Sequence, residues 1–175
     1  MKKGLLLIAI TIIFFSCGPT IQVFSDHDKD ISMQNYKSYG WLDIKEIESK
    51  NSDPRHYNEL TDKRIRVAVN RELGTRGFAM TENGPQLKLH YHIIVENKSM
   101  LTTELPGMLY GPYWEKNKTT VYQYREGTLI IDIMDVASNQ LVWRGWATDV
   151  ISEKSLKDPE QAINNAVREI FKKFP

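Results

Sequence analysis

The sequence predicts an α+β domain: a mainly antiparallel sheet with two amphipathic helices packed on one face, in the order β-β-α-β-β-β-α. Two observations carry this. From Thr128 to Thr148, TLIIDIMDVASNQLVWRGWAT, apolar residues alternate with a period of two on either side of the turn formers Ser138 and Asn139, the pattern of a hairpin. Apolar residues on both faces of this pair place it centrally, covered in part on each side. In two other stretches the period lengthens to that of a helix, and each ends on a stop signal.

The first of these is Glu59–Arg76. Leu60, Ile65, Ala68, Val69 and Leu73 mark one face, and Gly77 supplies a C-terminal stop. Lys63, Arg64, Arg66, Arg71 and Arg76 lie on the other face, which reads as a solvated helix surface. The second follows Asp158-Pro159-Glu160-Gln161, an N-cap acid, a proline at the first helical position and a glutamine at the third. Ile163, Ala166, Val167, Ile170, Phe171 and Phe174 recur at helical spacing behind it, with Lys172 and Lys173 at the C-terminal end.

The remaining strands are shorter or less regular. Ile21, Val23 and Phe24 predict a short first strand, DHDKDIS at 26–32 a polar turn, and Tyr36, Tyr39 and Trp41 a second strand within Asn35–Leu42. Asp43 to Asn58 is charged and turn-rich, and predicts a loop with a partial helical turn at Ile44 to Ser49. Leu87–Glu96, LKLHYHIIVE, turns Leu89, Tyr91, Ile93 and Val95 one way and Lys88, His90, His92, Ile94 and Glu96 the other. Asn97 to Val121 shows no period and contains Pro106, Gly107, Gly111 and Pro112. It predicts a long connection of the kind that is often functional.

The N-terminus speaks to location. Met1-Lys2-Lys3 precedes a largely apolar run of twelve residues, Gly4 to Phe15, and then Ser16-Cys17. This is the build of a secretory signal peptide over residues 1–16, and too short for a membrane span, which needs about 20. Its end resembles a bacterial lipobox, although Phe14 and Phe15 depart from the usual leucine-then-small pattern. Cys17 is the only cysteine, so no internal disulfide can form, and acylation would account for it. Residues 17–19 then form a lipidated tether, and 20–175 one domain, long enough for a single core. The full chain carries 23 Lys+Arg against 22 Asp+Glu. Losing Lys2 and Lys3 with the signal leaves it near neutral, which gives no support to nucleic-acid binding.

NYKSYGWL, DKRIRVAVNRELGTRGF, LKLHYHIIVE, GTLIIDIMDVASNQLVWRGWAT and INNAVREIFKKFP resemble the DUF4136 family of bacterial envelope lipoproteins, over about residues 20–175. The resemblance implies a small lipoprotein domain in a Gram-negative envelope, and it supplies no catalytic residues. Gly18 rather than Asp follows Cys17, which in the Gram-negative sorting rule favours the outer membrane, facing the periplasm.

Three kinds of site merit weighing. His90 and His92, two apart on a strand, share a face roughly 7 Å apart at the backbone, and Asp132 on a neighbouring strand would complete a metal-ligand set. Polar residues at alternate positions are also what a solvated sheet face looks like, and there is no HExxH or paired CxxC motif, so no metal or other cofactor is predicted. There is likewise no G-x-S-x-G elbow, P-loop or G-x-G-x-x-G run, and no enzymatic activity is expected. Leu105, Met108, Leu109, Tyr110, Tyr113 and Trp114 form an aromatic, methionine-bearing cluster suited to an envelope protein partner or to covering the sheet. The sequence-level expectation is a non-enzymatic envelope module anchored through acyl chains on Cys17. The alternatives are a metal-dependent hydrolase using His90, His92 and Asp132, or a lipid- or glycan-binding domain with a pocket between sheet and helices.

Overall fold

The computed structural model describes residues 21–42, 58–104 and 118–175. The signal peptide, Cys17 with its tether, the charged segment 43–57, and Leu105, Met108, Leu109, Tyr110, Tyr113 and Trp114 lie outside the described residues. The elements are β1 (Gln22–His27), β2 (Ser38–Trp41), α1 (Glu59–Thr75), β3 (Ala79–Met80), β4 (Leu87–Glu104), β5 (Lys118–Asp135), β6 (Gln140–Val150), α2 (Glu153–Lys157) and α3 (Pro159–Phe171), with a 3-10 turn at Met33–Asn35 before β2.

The α+β class holds, but the sheet is mixed rather than mainly antiparallel. Its six strands run in the order β1-β6-β5-β4-β2-β3. β1–β6, β6–β5 and β5–β4 are antiparallel, whereas β2 pairs in parallel with both β4 and β3. The parallel half follows from connectivity, because α1 lies between β2 and the next two strands and acts as a crossover. The element order also differs from expectation, by the two-residue edge strand β3 and the short helix α2, which buries none of its residues.

α1 begins where Asn58 Oδ1 accepts from the Thr61 N–H at 3.0 Å, with Glu59 and Asp62 in its first turn favouring the positive end of the helix dipole. It ends at Gly77, whose φ of +83° permits two closing bonds, Gly77 N–H to Gly74 O and Phe78 N–H to Leu73 O. Ile65, Ala68, Val69 and Leu73 are buried as the period predicts, while Leu60 is exposed; it sits in the first turn. α3 opens on Asp158, whose carboxylate accepts from the Gln161 N–H at 2.9 Å, with Pro159 first in the helix.

Both helices cover one face of the sheet. Val167, Ile170 and Phe171 join the α1 residues against Leu87, Leu89, Tyr91, Ile131, Ile133 and Trp143 in one core. The Trp143 ring lies 5.6 Å from Phe171 and 5.1 Å from Phe174, centroid to centroid. On β6, a register shift between Ile133 and Met134 opposes Ile133 to Trp143 and Met134 to Leu141. Val142 is therefore an extra residue: it is buried beside Trp143 while Leu141 is exposed, the reverse of strict alternation.

Within 97–121, expected as a connection, the described residues, 97–104 and 118–121, are strand. β4 and β5 pair without interruption from Leu87↔Asp135 to Glu104↔Lys118, whereas β6 reaches only as far as Glu126↔Val150. The last eight pairs project beyond the sheet as a two-stranded arm, roughly 25 Å long at strand rise. Met100, Leu101, Val121 and Tyr122 are exposed on it, so no burial-driven alternation marks these strands in the sequence.

Candidate functional site

Two features of the described residues stand out, one on each face of the sheet. On the face away from the helices the register aligns His90, Asp132, Arg144 and Asp26 across four neighbouring strands. Arg144 donates from Nε to Asp132 Oδ1 and from Nη2 to Asp132 Oδ2, both at 2.6 Å, a bidentate pair. Asp132 is only 6% exposed, and its cross-strand neighbour supplies the hydrogen-bonding partner that a buried carboxylate needs. The hydrogen bond to Asp132 holds the Arg144 guanidinium above its ordinary pKa.

His92 Nε2 lies 3.6 Å from Asp132 Oδ2, and the His90 and His92 rings meet edge to face at 4.0 Å between centroids. The sequence-predicted trio is therefore brought together, with ligand atoms of all three within 4.8 Å of one another. Burial, and then the neighbouring His92, push the His90 pKa down to about 4 against the opposing pull of Asp132, so its imidazole is neutral at physiological pH. Arg144, the residue that fixes the carboxylate, was not legible as a member of this group; its place opposite Asp132 depends on a register that only the folded hairpin defines. Asp135, the last residue of β5, accepts from the N–H groups of Ala137 and Ser138 and from the Ser138 hydroxyl.

On the helix face lies a groove of about 320 Å³. Ile93, Leu129 and Ala147 form its floor from the sheet, and Ile65, Ile163 and Ala166 its walls from α1 and α3. Ile21, Leu156 and Arg64 stand among its lining. The groove exists because the core ends early here. Trp143, Phe171 and Phe174 fill the space between α3 and the sheet near the C-terminal end of α3, whereas the N-terminal half of α3 presents the smaller Pro159, Ala162, Ile163 and Ala166. An apolar concavity of this size with a few polar groups at its edge is what small-molecule sites look like.

The basic face of α1 is largely engaged within the fold. Arg66 pairs with Asp62 at 2.9 Å and lies 4.7 Å over the Trp41 ring. Arg71 donates to Asn164, and Arg76 to the Phe171 carbonyl on α3. Tyr91 Oη donates to Asp62 at 2.8 Å, which fixes that carboxylate from the sheet side.

Fold and site together define an α+β domain with a mixed sheet, helices on one face and an apolar groove between them. Residues 23–175 match the family described as "Domain of unknown function (DUF4136)", and the chain belongs to that family, as its sequence segments imply. A DUF4136 family protein from Bacteroides thetaiotaomicron shares the fold at a TM-score of 0.51 and 14% identity, over 89% of this chain and 96% of that one. A PDZ domain protein from Parabacteroides distasonis does so at 0.56 and 12% identity, over 90% of this chain but 37% of that one. The chain thus spans little more than a third of the latter's length. No curated protein matches the sequence.

Proposed function

We propose that this chain is a binding module rather than an enzyme, held by acyl chains on Cys17 at the periplasmic face of a bacterial outer membrane, and that its groove takes one acyl chain of a membrane lipid. The observation that carries the reading is the position of the groove. Ile21 lies in its lining four residues after Cys17, and four residues span at most about 14 Å. A domain tethered so closely holds this groove against the bilayer, where acyl chains are the abundant apolar ligand.

The lining suits that occupant. Its walls and floor are aliphatic, and among the polar lining residues, which include Asn58, Thr61 and Asp149, Arg64 offers a cation to a phosphate or carboxylate headgroup. Each methylene transferred from water would contribute about 0.8 kcal/mol. Leu156, exposed on α2, and Val150, exposed at the end of β6, continue the apolar surface outward from the groove. Two or more acyl chains on Cys17 would anchor the chain stably.

Photo-crosslinking in living cells tests this, with the probe at Ile163 in the groove and a control at Lys173. A lipid-mass adduct from the groove position alone is the expected outcome. A protein adduct, or none, from Ile163 would refute the assignment.

A further inference from the structure

The polar row on the opposite face carries an inference independent of the groove. We infer that His90, His92 and Asp132 form a binding site for a divalent transition-metal ion of the zinc type, with Arg144 as the group that orients the carboxylate. Alternation along β4 and β5 separates the two features: Ile93 and Leu129 line the groove, while His92 and Asp132 point the other way.

The geometry fits a three-ligand site. Zinc held by nitrogen at about 2.0–2.1 Å and oxygen at about 2.0–2.2 Å in tetrahedral array needs its ligand atoms about 3.3–3.5 Å apart. His92 Nε2 and Asp132 Oδ2 already stand at 3.6 Å, and the set as a whole lies within 4.8 Å. The two imidazoles meet edge to face at 4.0 Å between centroids, and zinc binding would draw their ligand atoms together by side-chain rotation. His90 and Asp132 are directly opposed on adjacent strands, so the ladder itself fixes their separation.

The chemistry of the donors agrees. Two imidazoles and one carboxylate are ligands that zinc, nickel and copper share and that calcium and magnesium do not favour. A ligating carboxylate is usually hydrogen-bonded in turn, and Arg144 does this through both oxygens of Asp132. With three protein ligands, the fourth position is left to water.

The test uses the full chain, purified in detergent, stripped with a chelator and dialysed. Zinc titration by calorimetry and cobalt titration by visible absorption are followed in wild type, His90→Gln, His92→Gln and Lys88→Ala. One ion per chain is expected in wild type and Lys88→Ala, with a tetrahedral cobalt spectrum and at least a tenfold weaker affinity in each histidine variant. Amide NMR spectra matching wild type away from β4 show that each variant is folded; His92, with 39% of its side chain exposed, tolerates replacement. No stoichiometric binding in wild type overturns the inference, as does binding that folded histidine variants retain in full.

Discussion

Adding one methyl group at Gly145 should test the packing of the sheet against α3 more sharply than removing a large side chain. A Cβ at this position would fall against Cη2 of Trp143, 2.6 Å from Cζ2 of the same ring and 2.6 Å from Cγ2 of Ile170. Comfortable carbon–carbon contact is about 3.5–4.0 Å. Neither neighbour can retreat. Trp143 and Ile170 are fully buried, and the indole is held by Phe171 and Phe174. Replacing a strand glycine by alanine ordinarily gains about 0.5–1 kcal/mol from the unfolded state. Overpacking a core costs about 1–3 kcal/mol, and with two immobile neighbours the upper end applies, so Gly145→Ala should lose about 2 kcal/mol net. With an m-value of about 1–3 kcal/mol per molar urea, the midpoint should fall by roughly 0.7–2 M, read by tryptophan fluorescence. Trp143→Leu should cost less in the Gly145→Ala background than alone, because it removes the obstructing ring. A midpoint unchanged or raised in Gly145→Ala would refute the packing of Trp143 over this glycine.

Two further outcomes follow from polar groups. Arg144→Ala strips both hydrogen bonds from a carboxylate that is 6% exposed. Because the guanidinium is itself partly in solvent, the loss should be about 2 kcal/mol, and much smaller when Asp132→Asn is already present, as a double-mutant thermal-melt cycle would show. Tyr39 is buried and donates to Asn70 Oδ1 at 2.9 Å, and burial raises its pKa to about 12. Its contribution to stability is therefore complete below pH 10 and is lost as pH rises from 10 towards 12, where the unfolded chain ionises first. Urea midpoints across pH 9–12 should drop faster in wild type than in Tyr39→Phe.

Much of the fold was legible because its signals are local. Asp158-Pro159 and Gly77 bound their helices as written, and the two-residue period of Leu129, Ile131 and Ile133 picked out the buried face of β5. What escaped has a physical reason in each case. β3 is a two-residue edge strand of exposed Ala79 and Met80, too short to carry a period. The arm strands are solvated, so Met100, Leu101, Val121 and Tyr122 follow no burial rhythm. One extra residue at Val142 inverted the exposure of Leu141. The parallel pairing of β2 with β4 is a property of how α1 crosses over, which alternation within a strand does not encode. At the candidate sites, the two histidines and Asp132 could be proposed from spacing, whereas Arg144 and the groove depend on register and on where the core stops.

The most direct test of the proposed role is native mass spectrometry of the full chain released from membranes in mild detergent, beside an Ala162→Phe variant that fills the groove. The expected spectrum shows an N-terminus at an acylated Cys17 and one retained lipid in wild type, with the lipid lost and the acylation kept in the variant. An unmodified Cys17 would contradict the anchor, and a lipid-free wild type, or one whose lipid survives Ala162→Phe, would contradict the groove.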